Sequence, residues 1–177
     1  YKMRETFHKA KLYDVFNIEN QRQIQIPIFQ RAYSWISKKW EKLLQDIFVD
    51  DSLFMGVITG VGDIGDTNYP ILTLVDGQQR LTTLSLFILA IYKRLNEIYE
   101  DKKNEEYFEF KNDIKKRLVI NKHNKYETRL TLSSKDKNKE DYEYLINFIL
   151  FQDKNYKKPQ NFGNRRLSHA FNFFYDN

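Results

Sequence analysis

The chain has 177 residues, 41% of them hydrophobic and 16% aromatic, which is enough apolar mass for a folded core and excludes wholesale disorder. It contains no cysteine, so disulfides, thiolate metal sites and cysteine nucleophiles are excluded. It also lacks an apolar run of about 18 residues and a basic-then-apolar leader, so neither a membrane span nor a membrane partner is expected, and the expected location is cytoplasmic. The 29 Lys and Arg against 24 Asp and Glu leave a net charge of +5, spread thinly along the chain, densest over residues 154–166 and closer to a solvated surface than to a dedicated DNA groove.

In chain order, residues 11–16 read as a short amphipathic turn or helix. Residues 22–28 alternate polar and apolar, the period of a strand, and Pro27 places its end at an edge or exit. Residues 30–35 read as a loop. Ser37 opens a helix reaching about position 50, with Trp40, Leu43, Leu44 and Ile47 on one face. Residues 53–59 are expected as a strand, 61–68 as a hairpin turn, and 69–75 as a strand ended by Asp76-Gly77. The strongest helix covers residues 81–100; its first half is apolar almost all round, which predicts a central position. Residues 101–143 read as helical and solvated, with a strand-like stretch at 128–132. A helix is expected over 142–151, a Lys-rich loop over 153–163 and a last helix over 165–175.

The chemistry concentrates where the third strand meets the long helix, at Asp76-Gly77-Gln78-Gln79-Arg80. Gly77 permits a backbone turn that other residues resist. The first N–H groups of a helix lack helical partners and favour an anion. Arg80 brings a forked donor suited to phosphate, and Thr82 and Thr83 bring hydroxyls. Asp76 is suited to holding a cation, orienting a water or bonding a ribose, and equally to capping the helix. A second unit, Pro27-x-Phe29-Gln30-Arg31-x-Tyr33-x-Trp35, sets Gln30 and Arg31 just past a strand. Arg31 is placed to share an anion with Arg80, and Tyr33 or Trp35 to stack on a base; read blandly, the two aromatics anchor the core and Arg31 is a surface charge. The catalytic candidates are Asp76 and Arg80, and the nucleotide-binding candidates are Gln30, Arg31, Tyr33, Asp76, Gly77, Gln78, Gln79, Arg80 and Thr82.

These two units, together with Phe54-Met55-Gly56-x-Ile58, Arg129-Leu130-x-Leu132 and Asn164-x-Arg166-Leu167, resemble the N-terminal domain family of GmrSD-type restriction endonucleases over most of the chain. The resemblance implies an α+β fold, with a ParB/sulfiredoxin-like core of a small mixed sheet and packed helices over residues 1–100 and a mainly helical extension over residues 101–177. It implies binding of a nucleoside triphosphate with Mg2+, hydrolysis in several members, and regulation of DNA cleavage in a modification-dependent phage-defence protein. Gln30, Arg31 and Asp76 to Arg80 are the matching positions.

Many relatives carry a C-terminal HNH nuclease domain. This chain departs there: His8, His123 and His169 are widely separated, so DNA cleavage and contact with DNA are expected from the full-length protein. No metal site is nominated; Asp50-Asp51 and Asp63/Asp66 fit a helix end and a polar turn better than a cation site. The alternative reading is a non-catalytic DNA-binding or protein-interaction module on the same fold.

Overall fold

The computed structural model describes residues 12–19, 21–49, 56–63, 68–102 and 105–177. In chain order these form α1 (Leu12–Val15), β1 (Gln23–Gln25), α2 (Ser37–Val49), β2 (Thr59–Asp63), β3 (Ile71–Asp76), α3 (Gln78–Lys102), α4 (Glu105–Leu118), β4 (Val119–Lys122), β5 (Lys125–Thr128), β6 (Leu130–Thr131), α5 (Asn138–Leu150) and α6 (Arg166–Asp176). Single 3-10 turns sit at Lys135–Lys137 and Phe162–Asn164. The class is α+β, as expected. A four-stranded mixed sheet runs in the order β2-β3-β1-β6, and β4 with β5 forms a separate two-stranded ribbon.

β1 holds the sheet together. It pairs in parallel with β3, Ile24 opposite Leu72, and with β6, Ile24 opposite Leu130. Its alternation puts Ile24 and then Ile26 into the core while Gln25 faces out. Pro27 lies just past its end, where the lost N–H costs no ladder bond. β2 pairs antiparallel with β3 and leaves one edge of the sheet.

The strand expected at 53–59 lies further along. Residues 56–58 carry no strand, Gly56 sits at a φ of +100°, and β2 begins only at Thr59. Residues 53–55 and the tip of the expected hairpin turn at 64–67 lie outside the described residues. The solvated helix expected over 101–143 is also corrected. α4 stops at Leu118 and the chain turns into the β4–β5 hairpin through His123 and Asn124, both at positive φ. Both residues adopt the left-handed conformation of a two-residue hairpin turn without a glycine to announce it.

α3 is central. α4, α5 and α6 all pack against it, so burial runs round the helix and not down one stripe. Leu84 is buried as its spacing predicts, but Leu81, Leu86, Leu89 and Ala90 are buried as well, while Phe87, Ile88 and Ile91 are half-buried. On α2, Trp40 and Leu43 are buried, and Leu44 and Ile47 pack at the core's margin. One core runs from Phe16 to Phe174, so residues 1–100 and 101–177 share it.

Several polar groups inside this core are satisfied in named ways. Arg129, 1% exposed, donates to the Arg22 carbonyl and to the Lys116 carbonyl, both at 3.0 Å, tying the entry of β1 to the end of α4. Burial, with Arg117 and Arg22 nearby, lowers its pKa to about 10, so it stays cationic at neutral pH. The Asp141 carboxylate on α5 has no exposed surface and accepts two bonds from the Arg165 guanidinium at the start of α6, one of 2.6 Å from Nε. Trp40 Nε1 donates to the Tyr33 hydroxyl at 2.9 Å. Thr83 donates its own proton to the Gln79 carbonyl, so the 2.8 Å contact between Tyr33 and Thr83 has Tyr33 as donor.

Leu84→Ala should cost about 2–5 kcal/mol by the loss of buried side chain and the cavity it leaves, and Asp141→Ala about 3 kcal/mol, because the Arg165 charge then loses its buried partner. Urea unfolding measures both; under about 0.5 kcal/mol for Leu84→Ala would remove that residue from the core.

Burial raises the Tyr33 hydroxyl to about 12 and pushes Tyr142, bonded to Ser85, up further. A tyrosine of the unfolded chain ionises near 10. Their contribution to stability is therefore full below pH 10 and is lost as pH rises through 12. Thermal unfolding followed from pH 9 to 12 should show a steep fall above pH 10, shallower in Tyr33→Phe.

Candidate functional site

The site forms where the parallel strands end. β1 runs into residues 26–35, β3 into Gly77 and α3, and β6 into Leu132, Ser133 and the start of α5. A small cavity lies between these exits. Ile26, Arg31 and Tyr33 line it from β1, Gln78, Gln79 and Thr82 from α3, Leu132 and Ser133 from β6, and Asn138 from the first position of α5. Ligands of parallel sheets collect at this carboxyl end of the strands, where helix N-termini present unpaired N–H groups.

Gly77 makes the turn. Its φ is +92°, and an added Cβ would meet Ile58 Cγ1 at 3.1 Å and the Val57 carbonyl at 3.3 Å. The Asp76 carboxylate accepts the Gly77 N–H at 2.7 Å, so it steadies the turn and does not reach into the first turn of α3. α3 begins at Gln78, two residues before Arg80, and its first backbone bond runs from Leu81 N–H to the Gly77 carbonyl at 3.0 Å.

The nominated residues divide into those that hold the site and those left open. Gln79 holds it: its Nε2 donates to the Ala32 carbonyl at 3.0 Å, and its Oε1 accepts the Ser34 N–H at 2.8 Å. One amide thus reads both polar groups of the loop, as a neighbouring strand would. Gln30 donates to the Val75 carbonyl at 2.8 Å, latching the same loop to β3. The Tyr33 N–H donates to Asn138 Oδ1 at 2.7 Å, and its ring is 7% exposed with its hydroxyl in the Trp40–Thr83 chain, so Tyr33 anchors the core and offers no face to a base. Thr82, like Thr83, donates its hydroxyl proton back along the helix, to the Gln78 carbonyl at 2.8 Å, leaving acceptor lone pairs on the cavity side.

Left open are Arg31, Gln78, Asp76 and Arg80. Arg31 is exposed at the cavity, and Gln78 is 8% exposed; among the described residues neither side chain makes a hydrogen bond or an ion pair. Arg80 does not line this cavity. Gln78 and Thr82, four apart, share its side of α3, while Arg80 projects from the opposite side of the same turn. Its guanidinium lies on Gly56, where an added Cβ would come within 2.5 Å of Nη1. Arg31 and Arg80 therefore bracket the start of α3 instead of facing each other. Arg80 too makes no hydrogen bond or ion pair among the described residues.

Reasoning from the sequence alone passed over Asn138 and Ser133, which only the return of β6 brings here, and the room that Gly56 gives Arg80. Gly56 stood in a nominated motif, but one chain cannot show which distant side chain a glycine admits. Among the described residues no three His, Asp or Glu side chains converge as metal ligands. No described helix is long and apolar enough to cross a membrane. Trp35 is half-buried against the core.

No curated protein matches the chain. A family model described as GmrSD restriction endonuclease, N-terminal domain, matches residues 12–177. That span carries both loops of the site, the glycines that shape them and the strand return that supplies Asn138, and on it the chain belongs to the family of GmrSD restriction endonuclease N-terminal domains.

Proposed function

We propose that this domain binds a nucleoside triphosphate, with Mg2+, across the carboxyl ends of β1, β3 and β6, and that binding regulates DNA cleavage performed elsewhere in the full-length restriction protein. The observation that carries this reading is the convergence of three strand exits and the starts of α3 and α5 on one cavity lined by Arg31 and Gln78, with Arg80 on the opposite side of the same helix turn; among the described residues these three side chains make no hydrogen bond or ion pair. A polyphosphate supplies what each lacks: charge for the arginines, acceptors for the free N–H groups, and a partner for the Gln78 amide.

The cavity itself measures about 10 Å3, the room of one water. In this reading the nucleotide lies over its mouth, with the phosphates along the first turn of α3 between Arg31 and Arg80. Asp76 is exposed beside that turn with one carboxylate oxygen held by Gly77. Its other oxygen would hold a magnesium ion or orient the attacking water. Mg2+ would supply charge neutralisation on the phosphates. Arg80 would stabilise the charge that builds on the transferred phosphoryl group. A ParB-like ancestry fits the same reading, because the ligand sits on a small mixed sheet at a strand-to-helix turn.

Titration of the chain with ATP and with GTP, with and without Mg2+, should raise the unfolding temperature progressively, by the equivalent of about 2.7 kcal/mol at a hundredfold excess over Kd. Arg31→Ala and Arg80→Ala should each weaken binding roughly 10- to 150-fold, the worth of a charged hydrogen bond, and leave the ligand-free protein as stable as before. Arg80→Lys keeps the charge, loses the fork, and should fall between. Asp76→Ala should lower hydrolysis more than affinity. Gln79→Ala should behave otherwise, losing stability first because the clamp on Ala32 and Ser34 is gone. Equal nucleotide affinity in the wild type and both arginine variants would overturn the assignment.

A further inference from the structure

The loop after β1 crosses the mouth of the cavity on a turn whose composition breaks the usual rule. The Gln30 N–H donates to the Pro27 carbonyl at 3.1 Å, closing a four-residue turn with Ile28 and Phe29 at its two corners. Such corners favour Gly, Pro, Asn, Asp and Ser. Here they hold a branched aliphatic side chain, 65% exposed, and a phenyl ring, 72% exposed. Neither residue has a positive φ, so the backbone does not dictate the choice. A local rule broken with no packing in return marks a functional position.

The turn is fixed from two sides. Gln30 Nε2 donates to the Val75 carbonyl at 2.8 Å, and Lys135 Nζ donates to the Phe29 carbonyl at 3.4 Å. Val75 leads into the start of α3, and Lys135 stands between Ser133 and Asn138, which line the cavity. The turn therefore bridges the two walls of the mouth, α3 on one side and the β6–α5 connection on the other. Val75 is itself exposed and extends the apolar surface. Arg31, the cation of the cavity, follows Phe29 by two residues, a reach of at most about 7 Å along the chain.

We propose that the Ile28–Phe29 turn is the base platform of the nucleotide site, with the Phe29 ring stacked on the nucleobase while Arg31 holds the phosphates. The proposal rests on the nucleotide-binding reading above and adds to it the seat and the class of the base. The other aromatics of the loop are committed elsewhere: Tyr33 is enclosed by the core and Trp35 packs against it. A nucleotide joins an anion to a flat ring, and the mouth presents a cation and a flat ring within two residues of each other. A bare anion would leave Phe29 in water, and a wholly apolar ligand would leave Arg31 without a partner. Stacking tolerates any base, because every base has a π-face. The Gln30 amide nitrogen and the Lys135 ammonium flanking the turn are engaged with backbone carbonyls, so ring area, and not hydrogen bonding to base edges, sets the preference. Purine nucleotides bind more tightly than pyrimidine nucleotides, with adenine and guanine close to equal. The platform is held in place before the ligand arrives, so little entropy is lost on stacking.

The test is calorimetric titration of wild type, Phe29→Ala, Phe29→Leu and Phe29→Trp with ATP, GTP, CTP, UTP and inorganic tripolyphosphate, all with Mg2+. Phe29→Ala should weaken ATP and GTP roughly 5- to 150-fold, the loss that follows removal of one base–aromatic stack, and should leave tripolyphosphate affinity unchanged. Phe29→Leu keeps an apolar tip without a ring and should stay weak, whereas Phe29→Trp should bind ATP as wild type does or more tightly. All three variants should unfold at the wild-type temperature, because the ring is exposed. Wild-type ATP affinity in Phe29→Ala would overturn the platform. So would an equal loss of ATP and tripolyphosphate in that variant, or a pyrimidine nucleotide bound by wild type more tightly than ATP. Failure of wild type to bind any of the five ligands would overturn the nucleotide site and the platform with it, an outcome distinct from ATP binding that ignores position 29.

Discussion

A single amide joins the two halves of the site. The Gln79 side chain donates to the Ala32 carbonyl and accepts from the Ser34 N–H, bridging 47 and 45 positions of sequence. It imitates a strand, and that is why it works: the loop after β1 has left the sheet, and its polar groups need partners with sheet-like spacing. With the loop fixed, Tyr33 enters the core, its N–H meets Asn138, and its hydroxyl closes the chain from Trp40 to Thr83. Four elements thus take their relative positions from one loop, and Arg31 is carried to the cavity at its near end. A glutamate at position 79 would keep the acceptor and lose the donor, facing the Ala32 carbonyl with a charge; an alanine would lose both.

Much of this was legible in the sequence because it rests on local chemistry. The turn at Asp76-Gly77, the start of a long helix beside Arg80, and a strand ending at Pro27 each follow from glycine's backbone freedom, apolar periodicity or a missing N–H. The pairing of the two loops was legible only through resemblance. What stayed hidden depends on distant partners. Gln79 and Tyr33 look like ligand-binding residues by type, and only the fold shows that their polar atoms already face Ala32, Ser34 and Thr83. The β4–β5 hairpin was hidden for another reason: its turn residues, His123 and Asn124, lack the glycine that marks such turns, and its flanks are lysines that also suit a helix end. The displaced β2 has the same origin, since Gly56 at positive φ interrupts a run that reads as continuous β-formers.

The two glycines of the site answer to different constraints. Gly77 is needed by its own backbone and by the closeness of Ile58 and the Val57 carbonyl. Gly56 is needed as well by the Arg80 side chain, which occupies the space a Cβ would fill. The segment before β2 therefore acts as a floor under one arginine, while the loop after β1 carries the other. Neither arginine is tied to a carboxylate among the described residues. The two guanidinium groups flank one helix start, and the repulsion between them is screened by solvent. Buried positions here show the contrast: Arg165 has Asp141, and Arg129 has two carbonyls.

The same contrast separates the ends of the sheet. In the core Arg165, Arg129 and Lys111 have partners within hydrogen-bond distance, whereas among the described residues Arg31 and Arg80 at the strand exits and Lys122 and Lys125 at the hairpin tip make no hydrogen bond or ion pair. Mutual repulsion is tolerated where solvent screens it, and each cluster stands on a scaffold more rigid than surface charge requires: Gln79 and Gln30 brace the first, Tyr69 and Gln21 the second. For the nucleotide proposed at the strand exits, a loop already held by hydrogen bonds lowers the conformational entropy lost on docking. In the nucleotide-binding reading proposed above, the ligand at the strand exits must be small enough for its phosphates to lie along one turn of α3, over a mouth with room for one water.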